Sequence, residues 1–376
     1  MLRYVTAGES HGRGLLAILD GMVSGLALSP DDIDRDLARR QKGYGRGGRM
    51  AIEKDRVEIL SGVRRGKTIG APISLLIMNK DYRPDYPLTG KFILTSPRPG
   101  HADLAGVLKF NEYDLTNIAE RASARETAAR VAVGAICRRF LRDFGVRIVS
   151  WVSGTGGIPI APVKDPLKAF ACAEASELRS PDRSAEKKMR AKIQEAIRKG
   201  DTVGGNFDVA ALGVPAGLGS YAQWDMRLDG RLAQALMSIQ AIKAVEIGQG
   251  IKVACGLGSK AHDEIFYEKG RFCRRTNYAG GLEGGVTNGE NLIVRAFMKP
   301  ISTLGRPLRS VDIVSKKPTR AEVIRHDVCA VPAASIVGES AVAFELARAF
   351  LEKFGGDSLG ETKRNFRAYL AQLKRF

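Results

Sequence analysis

The chain has 376 residues, 44% hydrophobic and 27% charged, a balance that supports a sizeable core and excludes a disordered protein. Its net charge of +18, from 59 Lys plus Arg against 41 Asp plus Glu, points to polyanions or to small, highly charged anionic ligands. No stretch approaches the ~20 apolar residues of a membrane span, and Met1-Leu2-Arg3-Tyr4-Val5 lacks a charged leader and apolar run. Five isolated cysteines, Cys137, Cys172, Cys255, Cys273 and Cys329, show neither disulfide nor zinc spacing. We therefore expect a cytoplasmic protein with reduced thiols, no metal and no membrane partner.

The first turn, Gly8-Glu9-Ser10-His11-Gly12, sets one of only four histidines between glycines. Histidine is the side chain whose ordinary pKa lies nearest neutral pH, so a scarce, loop-borne histidine is a candidate for proton transfer. A strand is expected at 15–19. Ser29 as N-cap, Pro30 at the first position and Asp31 and Asp32 in the first turn predict a helix. It leads into Arg39-Arg40-Gln41-Lys42-Gly43-Tyr44-Gly45-Arg46-Gly47-Gly48-Arg49, a basic loop suited to presenting Arg40 and Arg46 to an anion. RNA-binding tails share that composition, but this segment is short, unrepeated and follows a helix.

Strands are expected at 57–60 and 73–78. A second histidine turn follows, Arg98-Pro99-Gly100-His101-Ala102-Asp103. A helix over 124–144 is predicted from a Ser123-x-x-Glu126 capping box, from apolar Val131, Ala132, Ala135, Ile136 and Phe140, and from Gly145 as its stop. Arg121 and Arg125 flank its start, so N–H groups, helix dipole and guanidinium charge converge on one anion site. Strands at 146–152 and 207–212 bracket a Lys-rich stretch, 165–200, with helical spacing at Met189, Ile193 and Ile197, read as an exposed helical excursion. Residues 251–254 and 292–297 read as strands.

In Gly280-Gly281-Leu282-Glu283-Gly284-Gly285 the glycines would admit a ligand to the backbone, and Lys299-Pro300-Ile301-Ser302-Thr303 offers a lysine and two hydroxyls. Arg325-His326-Asp327-Val328-Cys329 precedes a helix over 332–354. There Arg325 and Asp327 either form a salt bridge that holds a turn, or meet an anion and handle a proton. The tail, 357–376, reads as helical. No Walker A sequence and no G-x-G-x-x-G opening a βαβ unit are present, which disfavours nucleoside triphosphate and NAD folds. A glycine turn leading into a strand recurs at 66–75 and 200–209, an echo compatible with an internal pseudo-twofold. With no Pro/Ser-rich linker, a single domain over 1–376 is expected.

In their order along the chain, these segments resemble the chorismate synthase family. The Gly8 to Gly12 turn with the strand after it, the Arg121-Ala122-Ser123-Ala124-Arg125-Glu126-Thr127 segment, and the stretch from Arg325 to Glu339 are similar to that family's three signature regions. The Arg40 to Arg49 loop, the Arg98 to Asp103 turn, the Gln240-Ala241 pair, and the Gly280 and Lys299 segments also fit, so the resemblance runs from Thr6 to about Gly355. It implies an α/β fold, a β-α-β sandwich of antiparallel sheets packed around central helices, assembled as a homotetramer.

The resemblance further implies conversion of 5-enolpyruvylshikimate 3-phosphate to chorismate and phosphate. This is an anti-1,4-elimination that needs reduced FMN without net redox change, the last step of the shikimate pathway in aromatic amino acid biosynthesis. It sets the flavin against Arg121, Ala122, Ser123, Gln240, Ala241, Gly284, Lys299, Pro300, Ile301, Ser302, Thr303 and Arg325, and the substrate against Ser10, Arg40, Arg46 and Arg125. It makes His11 the acid facing the leaving phosphate and His101 the residue managing charge near flavin N1. Asp327 then assists removal of the C6 proton through flavin N5. Arg40 and Arg46 fall at positions assigned either to substrate or to NADPH in members that reduce their own flavin; with no separate reductase segment here, an outside reductant is expected. A nucleic-acid-binding protein is disfavoured because aromatics make up only 7% of the chain, and a flavin oxidoreductase is the nearer rival.

Overall fold

The computed structural model describes residues 1–47, 54–82, 93–268, 270–323 and 327–376. Two antiparallel sheets enclose a layer of helices. The first sheet contains β1 (Arg3–Ala7), β2 (Gly14–Asp20), β3 (Val57–Ile59) and β4 (Ile73–Met78), in the order β1-β2-β4-β3. The second contains β5 (Arg147–Thr155), β6 (Ile158–Pro159), β7 (Gly205–Leu212), β8 (Ile242–Ile247) and β9 (Leu292–Met298), in the order β8-β9-β7-β5-β6. The two glycine echoes lead into β4 and β7, one strand in each sheet.

Between the sheets lie α1 (Pro30–Gln41), α4 (Thr127–Arg142), α7 (Leu228–Met237) and α9 (Val331–Phe354), and the other helices include α2 (Asp103–Phe110), α3 (Leu115–Ala122), α5 (Pro166–Glu174), α6 (Arg183–Lys199), α8 (Gly250–Ala254) and α10 (Leu359–Leu373). This is the α/β sandwich expected from the resemblance. α4 packs on β2 and β4, and α9 packs on β5 and β7, so the α4–α9 pair is the middle of the molecule. Both helices are apolar nearly all round, as a buried helix must be. β2 instead alternates, with Leu15, Ala17 and Leu19 buried and Leu16 and Ile18 outward, because only one of its faces meets the helices. Among the described residues no helix is long and apolar enough to cross a membrane.

Two local expectations are corrected. Residues 251–254 lie in the short helix α8, not in a strand; four residues are too few for a period to separate the two. The expected capping box at Ser123 is not formed. Ser123 Oγ accepts from the Arg125 N–H at 3.2 Å at the head of a 3-10 turn, Ala124–Glu126, that precedes α4. The Glu126 carboxylate is drawn away by Thr6, Arg130 and Gln240, which together outcompete the reach back to its own cap. The 165–200 stretch consists of α5 and α6, each N-capped by an aspartate, with Ala173, Met189 and Ile193 fully buried.

Candidate active site

The His11 turn is held from three sides. Ser10 N–H donates to the Glu120 carbonyl at 3.1 Å, and the Glu120 carboxylate accepts the His11 backbone N–H at 2.6 Å. The other Glu120 oxygen lies 2.6 Å from His11 Nδ1. Asn79, at the end of β4, donates from Nδ2 to the carbonyls of Glu9 and Gly12, and its Oδ1 accepts from Arg125 Nε at 2.9 Å. Ser123 Oγ donates to Ser10 Oγ at 3.2 Å. Arg121 closes the outer side, donating to the Gly8 and Thr6 carbonyls.

Behind this turn lies a buried ionic cluster. Arg125 Nη1 is 2.7 Å from both oxygens of Asp55, and Arg40 Nη1 is 3.5 Å from the same carboxylate. Arg40 also donates to Thr127 Oγ1 and to the Ala124 carbonyl. Burial, with the like charges of Arg125 and Arg46 nearby, lowers the Arg40 guanidinium to about 10 against the pull of Asp55. Arg46 pairs with Asp327 at 2.9 Å, and the Gly47 N–H donates to the same carboxylate at 2.6 Å. Val328 N–H donates to the Gly45 carbonyl, so the basic loop is docked on the Asp327 segment and is no solvated tail. Arg325 lies outside the described residues.

The His101 turn has its own clamp. His101 Nδ1 lies 2.5 Å from Asp103 Oδ1, while Arg98 forks onto Asp103 at 2.8 and 2.9 Å and reaches Thr303 Oγ1 at 3.1 Å. Burial would raise the Asp103 carboxyl, but the hydrogen bonds and charges of His101 and Arg98 outweigh it and hold it well below the usual carboxylate range. Lys299 Nζ donates to the Gly100 carbonyl at 2.5 Å, and a Cβ on Gly100 would stand 3.7 Å from Ser302 Cβ. Thr202 Oγ1 fixes the Ile301 carbonyl.

A continuous path joins the two turns. Glu126, next to Arg125, accepts from Gln240 Nε2 at 3.4 Å; Ala241 accepts the Lys299 N–H at 2.9 Å; and Lys299 reaches Gly100 beside His101. A second path is the hairpin of α2 and α3, with Asp103 starting α2 and Glu120 near the end of α3. Gly106 faces Ile118 so closely that a Cβ would stand 2.3 Å from the isoleucine. That contact and the short connection set the helices antiparallel, with the His101 and His11 clamps at the same end. Gly284 lies in the turn between two short strands, Leu282–Glu283 and Val286–Thr287, where a Cβ would meet Tyr221 Cβ at 3.9 Å.

A cleft of about 330 Å³ lies elsewhere, lined by residues including Arg35, Asp36, Arg39, Arg138 and Phe170. Neither histidine turn borders it. Charged groups lining it are locked in ion pairs around Glu339 and Asp36. Sequence reasoning missed Asp55, Asn79 and Glu120, whose importance is entirely in what they touch, and read Glu126 only as a helix cap. The one signal for them was a string of arginines needing acceptors.

A family model described as chorismate synthase matches residues 2–351. The chain is 54% identical over 393 residues to a protein of Geotalea uraniireducens named chorismate synthase, with all of both chains covered. The chorismate synthase family includes this chain. A protein of the same name from Aquifex aeolicus is 52% identical, covering all of this chain and 99% of the other. A solved structure described as a crystal structure of chorismate synthase superposes with a TM-score of 0.83 at 46% identity, covering 100% of this chain and 99% of that one. As a chorismate synthase family member, the protein is a lyase that forms chorismate with loss of phosphate, in the shikimate pathway of aromatic amino acid biosynthesis.

Proposed function

We propose that the joined histidine turns are the site where 5-enolpyruvylshikimate 3-phosphate loses its phosphate, with reduced FMN as cofactor. The observation that carries this reading is the linkage itself: Ser10, His11, Arg40, Ser123 and Arg125 converge through Asn79 and Asp55, and His101 with Lys299 and Thr303 joins them through Gln240.

Two features fit an anionic, polar cofactor. Gln240 Oε1 is buried without a hydrogen bond among the described residues, and needs a donor. Burial and then the neighbouring Lys243 lower the Lys299 ammonium, so it gains from a counter-charge. FMN offers a ring N–H and a phosphate. Arg121, Ala122, Ser123, Gln240, Ala241, Gly284, Lys299, Pro300, Ile301, Ser302 and Thr303 would hold it, together with Arg325. When bound, the reduced flavin supplies electron density that eases departure of the allylic phosphate.

This chain's residues do the rest. Ser10, Arg40, Arg46 and Arg125 bind and orient the carboxylates and phosphate, where guanidinium forks match paired oxygens. Burial first, and then the like charges of Arg125 and Arg46, depress Arg40, and an anion there offsets both. His11 donates a proton to, or hydrogen-bonds, the leaving phosphate. His101, fixed by Asp103, balances charge beside the flavin ring, and Asp327, oriented by Arg46 and the Gly47 N–H, handles the C6 proton. The products are chorismate and hydrogen phosphate; the proton removed from C6 balances the one given to the phosphate, so His11 and Asp327 end as they began.

We further propose a homotetramer in the cytoplasm. The outward face of β2, with Leu16 and Ile18 exposed, supports self-association, and the five cysteines, all unpaired, suit a reducing compartment. The test of the reaction is an anaerobic assay with photoreduced FMN and 5-enolpyruvylshikimate 3-phosphate. Phosphate release is expected, reduced by ~10²-fold or more in H11A and in H101A. A folded protein that releases no phosphate overturns the reading, and near-normal turnover of either variant at saturating FMN and substrate removes that histidine from it.

A further inference from the structure

Both histidines of the site meet a carboxylate through the same ring nitrogen. Asp103 takes His101 Nδ1 at 2.5 Å and Glu120 takes His11 Nδ1 at 2.6 Å, one from each helix of the α2–α3 hairpin. Glu120 differs in holding the ring and the backbone of one histidine together. Its second oxygen accepts the backbone N–H of the same His11 at 2.6 Å, and its carbonyl accepts the Ser10 N–H. The residue is 7% exposed, so water does not compete strongly for either oxygen.

An ionised carboxylate only accepts hydrogen bonds, so a ring nitrogen this close to it must carry the hydrogen. Which nitrogen of a histidine is protonated is set by the partner of the other. We propose that Glu120 is a positioning residue for the elimination: it holds His11 as the Nδ1–H tautomer, turned so that proton exchange with the leaving phosphate runs through Nε2. This rests on the reading of His11 given above. It also explains why glutamate and not glutamine stands at 120. An amide has one acceptor oxygen, so glutamine would turn its NH2 toward either the backbone N–H or the ring N–H, and one of the two bonds would be lost.

The test is E120Q, which preserves size. With only four histidines in the chain, the ring nitrogen resonances of His11 can be assigned by their loss in H11A. In the wild type the neutral His11 ring is expected as Nδ1–H; in E120Q it shifts toward Nε2–H. The kcat for phosphate release falls roughly 10²- to 10⁴-fold, the range for losing a histidine's orienting partner, while KM changes far less. E120D, which keeps two acceptor oxygens, restores the Nδ1–H signature in part. An Nε2–H ring in the wild type overturns the proposal, whether or not E120Q folds. So does an E120Q protein that loses activity with the His11 tautomer unchanged, since that is the mark of a merely structural clamp. The ring signature is read without substrate, so a wild type that releases no phosphate fails the functional reading alone.

Discussion

Glu339 is fully buried in α9 and is bound by Arg39 at 2.8 Å, by Arg138 at 3.0 Å and by Ser150 Oγ at 2.7 Å, with Arg179 at 3.4 Å. Burial alone would raise its carboxyl, but the three arginines overcome that and bring it from 4.5 down to about 2. A carboxylate depressed in the folded state stabilises the protein above its ordinary range and loses that contribution as pH falls toward the folded value. The pH window is therefore about 4.5 to 2, and the stake is of order 3 kcal/mol. E339Q removes the charge and leaves Arg39 and Arg138 sharing only Asp36 and Glu174 as carboxylates. We expect it to lose about 3–5 kcal/mol at neutral pH, as broken buried pairs do, and to lose less further stability on acidification than the wild type. Urea midpoints measured across that window decide it; parallel curves for the two proteins would show that Glu339 is not the group being titrated. Arg39, beside it on α1, is followed by Arg40, so one helix turn ties the Glu339 cluster on one side to the cluster around Asp55 and Thr127 on the other.

At the level of elements, α4 and α9 approach so closely that only small residues fit between them. A Cβ on Gly134 would stand 2.3 Å from Ser340 Cβ and 2.4 Å from its Cα, closer than atoms can come. G134A should therefore destabilise by about 1–3 kcal/mol despite alanine's better helix propensity, because overpacking outweighs propensity. Adding S340G relieves the clash with Cβ but not with the backbone, so the double variant should recover only part of the loss. An unfolding midpoint for G134A at or above wild type would mean that the helices separate at no cost. The same scale shows what was legible beforehand. α1 announced itself through Ser29, Pro30 and two aspartates, and α9 through its apolar length and Gly355, because those signals are local. The 251–254 segment was misread because four residues carry no period, and the Ser123 cap because tertiary partners decide it: Glu126 answers Thr6, Arg130 and Gln240 before its own helix start. In the site, His11 and Arg125 were visible as rare or clustered residue types in glycine-flanked or capped segments. Asp55, Asn79 and Glu120 were not, since a lone polar residue gains meaning only from an arginine or histidine tens of residues away.

For the whole molecule, the first sheet leaves an apolar outer face open in the single chain. Its inner face is the core, yet Val5, Leu16, Ile18 and Met78 on the other face are 64%, 41%, 43% and 54% exposed. In the register of the sheet, Val5 stands opposite Ile18, and Leu16 lies between Ala7 and Leu76, so these side chains form one stripe and not scattered points. Isolated surface apolar residues are ordinary, but a contiguous stripe across three strands marks a surface that meets another protein. A second copy of this chain is the partner that the homotetramer reading supplies, and a symmetric contact of apolar sheet faces needs no charge complementarity from a molecule that carries +18. Each such side chain buried in an interface contributes about 1.5–3 kcal/mol. I18K places a charge in the middle of the stripe while leaving the inner positions Ala17 and Leu19 untouched, so the fold should persist and the assembly should not. Sedimentation velocity is expected to show a tetramer for the wild type and a smaller species for I18K, with far-ultraviolet circular dichroism unchanged. A wild type that sediments as a monomer, or an I18K protein that still assembles as the wild type does, would show that this face is not where the copies meet.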